Sequence, residues 1–294
     1  MSDDKEGAAY VPLAKLAKES FKRFFADEAI PLAGNIAFRS IFSIFPFLIF
    51  LTAIAGFVGT EEQARAAVNF LLDVAPENLV RPLESEIRSI LTVPRADLLS
   101  IAALLTIWSA MSGVDSVRVG LNRAYDFHEN RPVWWLYLLE ILFVIGAAAA
   151  FVAFSFLVVL LPLALRFAAT HGVDLIGRFS ALQEMRLVYA ALLLFGGVTV
   201  AHLTLPARAL SLRRIWPGVL LTVFIWTLLA VGFSYWLLRF NSFASTYASL
   251  SGLFAAMFFI YLAALVLILG GELNRVLEVL SRGERLPEKP DLQN

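Results

Sequence analysis

The chain has 294 residues, 59% hydrophobic and 16% charged, with 24 basic and 24 acidic side chains and no cysteine. Soluble domains run nearer roughly 45–50% apolar and 25% charged, so this composition, with a mean hydropathy of +0.75, excludes an ordinary soluble domain. Zero net charge speaks against a nucleic-acid partner, and the missing cysteine removes thiolate metal and nucleophile sites.

The first element in the chain is 11–25, VPLAKLAKESFKRFF, which places Leu13, Leu16, Ala17, Phe21 and Phe24 on one helical face and Lys15, Lys18 and Lys22 off it. It reads either as an amphipathic helix on the membrane surface or as a helix packed on the protein's own inner loops. Residues 1–28 are thus a cytoplasmic amphipathic N-terminal segment. Six runs then lack Asp, Glu, Lys and Arg: 40–60, 98–114, 141–165, 187–207, 215–238 and 240–271. A spanning helix needs about 20 apolar residues, so each is predicted to cross the bilayer, the second being the shortest. The first run is too long for a cleaved signal peptide and follows mixed charge rather than a short basic leader.

The fold expected is an all-α polytopic membrane protein, with a six-helix transmembrane domain over 29–281. Between spans one and two, Leu79, Leu83, Ile87, Ile90 and Leu91 recur at helical spacing within 61–97. This predicts two short amphipathic helices in the outer segment. The tail 282–294 is polar and proline-containing, which predicts disorder. Six spans leave both termini on one side. With the termini inside, 15 of the 24 Lys and Arg side chains, including all five lysines, fall on inner segments. The positive-inside rule therefore predicts cytoplasmic termini. Trp134, Trp135 and Trp216 stand at inner span starts beside Pro132 and Pro217, where indoles anchor and proline suits a first helical turn.

Ionisable groups within spans need partners or water. Arg39, Asp115, Glu140, His202 and Glu272 come from five spans, and the topology puts all five in the cytoplasmic half, Arg39 within the first turns of its span. Trp108, Ser112, Asp115 and Asn122 form one stripe, Arg118 shares the side of Asp115, and Asn274 lies beside Glu272. Arg39 is expected to pair with Glu272 or Asp115, and Arg118 with Glu140. Such a cluster is a structural network that locks helices, a polar chamber for an anionic headgroup or protons, or a set of snorkelling side chains. No catalytic set, cofactor motif or metal spacing appears; His128, His171 and His202 lie far apart.

Pro46 within the first span predicts a kink or hinge, with Ser43 placed to help the backbone groups it frees. Near the start of span six, Ser242, Ser245, Thr246 and Ser249 share a face, with Tyr247 beside them. This predicts close helix packing or, as the alternative, the lining of a transport path.

Three stretches carry a family resemblance. AGNIAFRSIFSIFPFLIFLTAIAG resembles the first-span signature of the YihY/BrkB family of bacterial inner-membrane proteins. GLNRAYDFHENRP resembles that family's motif after span two, and FASTYASLSGLFAAMFFIYLAALVLILGGELNRVLE resembles its final span. The likeness covers roughly 30–280 and implies six spans with cytoplasmic termini in the bacterial inner membrane. The family usually has an aromatic residue where Arg39 stands, so a role for Arg39 would belong to a subgroup. The family's historical ribonuclease label finds no support in these residues, because metal-dependent cleavage needs a ligand cluster in water and a basic groove for RNA.

The expected function is non-enzymatic: a transporter or flippase-like exporter that moves an anionic lipid or amphiphile from the cytoplasmic leaflet. Arg39, Asp115, Arg118, Asn122, Glu140, His202, Glu272 and Asn274 would line its chamber. The alternative is a structural envelope scaffold without transport. Membrane lipids are the expected partners, and homo-oligomerisation is left open.

Overall fold

The computed structural model describes residues 12–58, 96–155, 186–240 and 248–286. Seven helices account for nearly all of them, and no strand occurs among the described residues. They are α1 (Leu13–Ala26), α2 (Ala29–Val58), α3 (Ala96–Ala124), α4 (Val133–Ser155), α5 (Arg186–Thr204), α6 (Leu212–Phe240) and α7 (Ala248–Ser281). Helix suits apolar segments in lipid, because it satisfies the backbone hydrogen bonds within the segment itself.

Five of these helices, α2, α3, α4, α6 and α7, are long and apolar enough to cross a membrane. The fourth expected span corresponds to α5, which is apolar from Val188 to Thr204 but shorter. The charge-free runs also misplace the helix starts. α2 begins at Ala29 rather than near 40, since only Arg39 interrupts its apolar sequence and one charge does not stop a helix. Arg39 therefore stands ten residues from the helix start, about 15 Å along the axis, and not in the first turns.

The chain divides into two compact units, 1–37 with 114–294, and 38–113. In the first, α1 packs on α7, α6 packs on α7, and α5 packs on both α6 and α4. Its core has two apolar clusters. One gathers Leu121, Tyr125, Val198, Leu205, Ile215, Val219 and Leu267. The other sets Phe24 of α1 against Ala29, Ala33, Ile36, Ala124, Ala264 and Ile268. Small side chains let these helices approach closely, as van der Waals packing in lipid requires. α6 and α7 approach closely. A Cβ on Gly270 would come within 2.8 Å of the Gly218 carbonyl oxygen, and one on Gly218 would collide with the Gly270 carbonyl.

In the second unit, α2 runs unbroken through Pro46. Ser43, expected to serve the carbonyl that Pro46 frees at Phe42, instead donates from Oγ to Ser40 O at 2.7 Å. Of the expected outer segment 61–97, all but the last two residues lie outside the described residues. Ser242, Ser245, Thr246 and Tyr247 also lie outside them, as do 287–294 of the tail, while Ser249 falls in the first turn of α7.

Candidate functional site: a buried polar cluster

The polar residues of the first unit gather where α3 and α7 end. α3 closes on a left-handed residue, Asp126 (φ 58°). Phe127 N donates to Asn122 O at 2.8 Å and Asp126 N to Arg123 O at 3.2 Å. This is the Schellman arrangement, in which glycine is the usual occupant. Aspartate accepts the strain here because its carboxylate is held from two sides: Arg23 Nη2 lies 2.5 Å and Arg275 Nε 3.1 Å from Asp126 Oδ2.

Arg23 of α1 is the centre of the first group. It is 4% exposed and also donates from Nε to Glu272 Oε2 at 3.2 Å, with Asp27 at 3.8 Å. Burial opposes its charge, but the Asp126 and Glu272 carboxylates outweigh that and hold its pKa above the ordinary arginine value. Glu272 is fully buried. Arg123 approaches Asp27 at 3.5 Å, and Glu278 collects Arg214, Arg275 and Arg282 at 3.1, 3.6 and 2.7 Å.

The second group is built on Glu129, in the turn between α3 and α4. Its carboxylate accepts from Arg131 Nε at 2.9 Å, Arg131 Nη2 at 2.8 Å, Arg131 N at 3.1 Å, Arg118 Nη1 at 2.6 Å and Asn122 Nδ2 at 3.2 Å. The Arg131 side-chain bonds, opposed by partial burial and reinforced by the Arg131 N–H and by Arg118, lower its pKa from 4.5 to about 2. Arg118 also holds Asp115 at 2.5 Å and stands 3.9 Å from Glu140. The expected Arg118–Glu140 pair is therefore present, but it is looser than Arg118's bonds to Asp115 and Glu129. Arg131 reaches on to the last carbonyls of α5, donating to Leu205 O at 2.8 Å and Thr204 O at 3.4 Å, while Asn122 Oδ1 accepts from Ala207 N at 2.7 Å.

The third group is a chain of neutral side chains. Asn274 Nδ2 donates to Tyr125 Oη at 2.9 Å and to Ile215 O at 3.0 Å, and Asn274 Oδ1 accepts from Gly218 N at 2.7 Å. Tyr125 Oη lies 2.8 Å from His202 Nδ1. The Tyr125 hydroxyl thus links the Asn274 amide to the His202 ring. His202 is fully buried, and its Nε2 has no hydrogen-bond partner among the described residues. The Gly218–Asn274 bond stands beside Pro217. The proline is the sixth residue of α6, in the second turn rather than the first, and the α7 side chain serves the backbone beside it.

Seven of the eight expected site residues thus fall in the first unit, in three groups rather than one. Arg118 and Asn122 bind Glu129, and Asp115 and Glu140 join them through Arg118; Glu272 meets Arg23; His202 and Asn274 meet through Tyr125. Arg39 belongs to the second unit, where its Nη1 donates to Ser112 O at 3.2 Å and Ser112 Oγ at 3.0 Å. Glu272, offered as an Arg39 partner, takes Arg23. Trp108, placed on the polar stripe, is 66% exposed, so the stripe turns outward above Ser112.

Sequence reasoning passed over Arg23, Tyr125, Asp126, Glu129, Arg131 and Arg275. A signal for most of them existed, because four lie in GLNRAYDFHENRP and Arg275 lies in GGELNRVLE, the charged margins of spans. Arg23 gave none beyond its place in a basic segment. Among the described residues, no group of three His, Cys, Asp or Glu side chains is placed to hold a metal ion.

Farther along α6 and α7 lies a cleft of about 330 Å³, lined by Ile225, Leu228, Leu229, Gly232, Phe233, Trp236, Phe258, Phe259 and Leu262. Its walls are apolar, and none of its residues belongs to the three polar groups. The indole of Trp226, next to it, donates from Nε1 to Ala263 O at 2.9 Å and ties the two helices at that level.

A family model described as "Virulence factor BrkB" matches residues 20–293. The chain is 28% identical over 277 residues to a Bacillus subtilis protein named ribonuclease-like YfkH, covering 92% of this chain and 97% of that one. It is 23% identical over 268 residues to a UPF0761 membrane protein of Xanthomonas campestris pv. campestris, covering 88% of this chain and 60% of the relative. A UPF0761 membrane protein of Xanthomonas axonopodis pv. citri matches at 23% over 261 residues, 86% of this chain and 58% of the relative. The chain therefore spans about 60% of the length of these Xanthomonas relatives. No solved structure matches.

Proposed function

The chain belongs to the virulence factor BrkB family and is an integral membrane protein; on that premise we propose that it binds an anionic amphiphile and carries it outward across the bacterial inner membrane. The observation that supports this reading is the apolar cleft between α6 and α7. It lies within segments apolar enough to span, and its aromatic walls suit an acyl chain, since small-molecule sites are concave and mostly apolar. Of the roles expected for the polar groups, their pairing supports the network that locks helices. The groups are bonded largely to one another and fasten α1, α3, α5, α6 and α7 at one end. The exposed guanidinium groups of Arg123, Arg214 and Arg282 at the margin of these groups are the members an anionic headgroup could reach. The test is movement of a fluorescent anionic lipid in proteoliposomes, with wild type and Leu229→Trp, which fills the cleft. Transport above protein-free vesicles that drops in the variant supports the reading; transport no faster than in protein-free vesicles overturns it.

A structural scaffold is the second reading, favoured by that same internal pairing of buried charge. It expects no lipid movement in either protein, together with loss of envelope integrity in cells when α1 is detached by Arg23→Met.

A further inference from the structure

We propose that α1 binds the anionic phospholipid surface of the bilayer, with Lys15, Lys18 and Lys22 at the headgroups and Leu13, Phe21 and Phe25 at the acyl boundary. The inference does not rest on transport. It starts from how α1 is held. Leu16, Ser20, Arg23 and Phe24 are its buried residues, and they fix one face against α7 through the Arg23–Glu272 contact. At 3.6 residues per turn, the next face around the helix carries Leu13, Ala17, Phe21 and Phe25. These large apolar side chains are 78%, 52% and 60% exposed for Leu13, Phe21 and Phe25. The face after that carries the three lysines, all exposed, and none of them is in an ion pair among the described residues. An apolar strip bordered by lysines is the pattern of a helix lying in a membrane interface.

Two further observations choose lipid over a protein partner. Only Asp27 and Glu28 separate α1 from α2, a helix apolar enough to span. Two residues reach at most about 7 Å, so the C-terminal end of α1 stays beside the start of that helix. Asp27 is itself fully buried and held by Arg23 and Arg123, which fixes the junction and with it the roll of α1. The indoles of Trp134 and Trp216, 66% and 55% exposed at the starts of α4 and α6, follow the loops that close α3 and α5 in this same unit. Indoles favour the headgroup depth, and Asp126, the Arg23 partner, lies in the first of those loops.

The chain has no cysteine, so single labels are straightforward. The full-length protein is reconstituted in vesicles of phosphatidylcholine with 30% phosphatidylglycerol, chosen here as the anionic probe. A spin label at Phe21→Cys is expected to be reached by lipid-soluble oxygen rather than by an aqueous relaxant. Phosphatidylglycerol retained on extraction is expected to exceed phosphatidylcholine. That preference is expected to fall about five-fold for each lysine changed to glutamine, to survive Lys→Arg at all three positions, and to fade as salt is raised. Unchanged phosphatidylglycerol retention in the triple glutamine variant overturns the proposal, and so does a water-exposed label at position 21. If α1 instead seats a soluble protein, the label is water-exposed until that protein is added, which is the same overturning result.

Discussion

Arg23 carries the charge that joins α1 to the rest of the first unit, and its burial makes that role measurable. Removing one member of a buried ion pair leaves the others uncompensated, typically at a cost of about 3–5 kcal/mol. Arg23→Met, which preserves much of the volume, is therefore expected to lower unfolding stability by that amount in detergent. A loss below about 1 kcal/mol would show that Asp126 and Glu272 find equal partners without it. Glu129 makes the complementary prediction in pH. Its folded-state pKa is lowered from 4.5 to about 2, so the carboxylate is stabilised by folding. That stability is fully present above about pH 4.5 and is lost as pH falls toward 2. Thermal melts between pH 6 and 2.5 should show the wild type losing stability faster than Glu129→Gln, with the two curves converging at the acid end. Parallel curves would mean that Arg131 and Arg118 do not hold the carboxylate as described.

At the scale of the element, the contact between α6 and α7 rests on absent side chains. Gly218 and Gly270 face each other across it, and Thr222 stands one turn on from Gly218. Gly218→Ala places a methyl group against the Gly270 carbonyl and against Asn274, whose amide also serves Tyr125 and Ile215. Overpacking of this kind costs about 1–3 kcal/mol, and here it disturbs the neutral hydrogen-bond chain as well. Gly197→Ala in α5, where nothing lies within 4 Å of the new carbon, should be neutral or slightly stabilising. Equal melting temperatures for the two variants would show that the helices separate freely at Gly218. Beside Pro217, in the second turn of α6, the Asn274 side chain accepts from the Gly218 N–H.

At the scale of the whole molecule, charge and oil are kept apart. The polar groups close one end of the first unit, whereas the cleft lies in the apolar stretch of α6 and α7, roughly 18 Å along α6 from Gly218 to its midpoint at twelve residues. Leu229→Trp should therefore act on ligand and not on stability. Displacing about two buried methylenes of an acyl chain costs near 1.6 kcal/mol, or about ten-fold in affinity. Native mass spectrometry of retained lipid should read that loss while the melting temperature stays put. An unchanged lipid complement would separate the cleft from any bound amphiphile.

What the sequence determined by itself is the membrane character, the helical class and the margins of apolar runs where ionisable groups stand. These follow from composition and from the energy of placing charge in hydrocarbon, quantities that add up along the chain. The residues 115–122 and 272–274 were legible for that reason, as ionisable or amide groups at the margins of apolar runs. Partners were not legible. Arg23 looked like one basic residue among several, yet it engages Glu272. Glu129 looked like part of a loop, yet it gathers Arg118, Asn122 and Arg131. Helix starts were also misjudged, because a single arginine in α2 marks the end of a charge-free run without ending a helix. Pairing depends on distances of a few ångströms between segments as many as 249 residues apart. Only the packing of α1 on α7, through close contacts of Phe24, Ala264 and Ile268, brings such atoms together. One dimension of sequence records which groups need partners; the tertiary structure decides which partners they take.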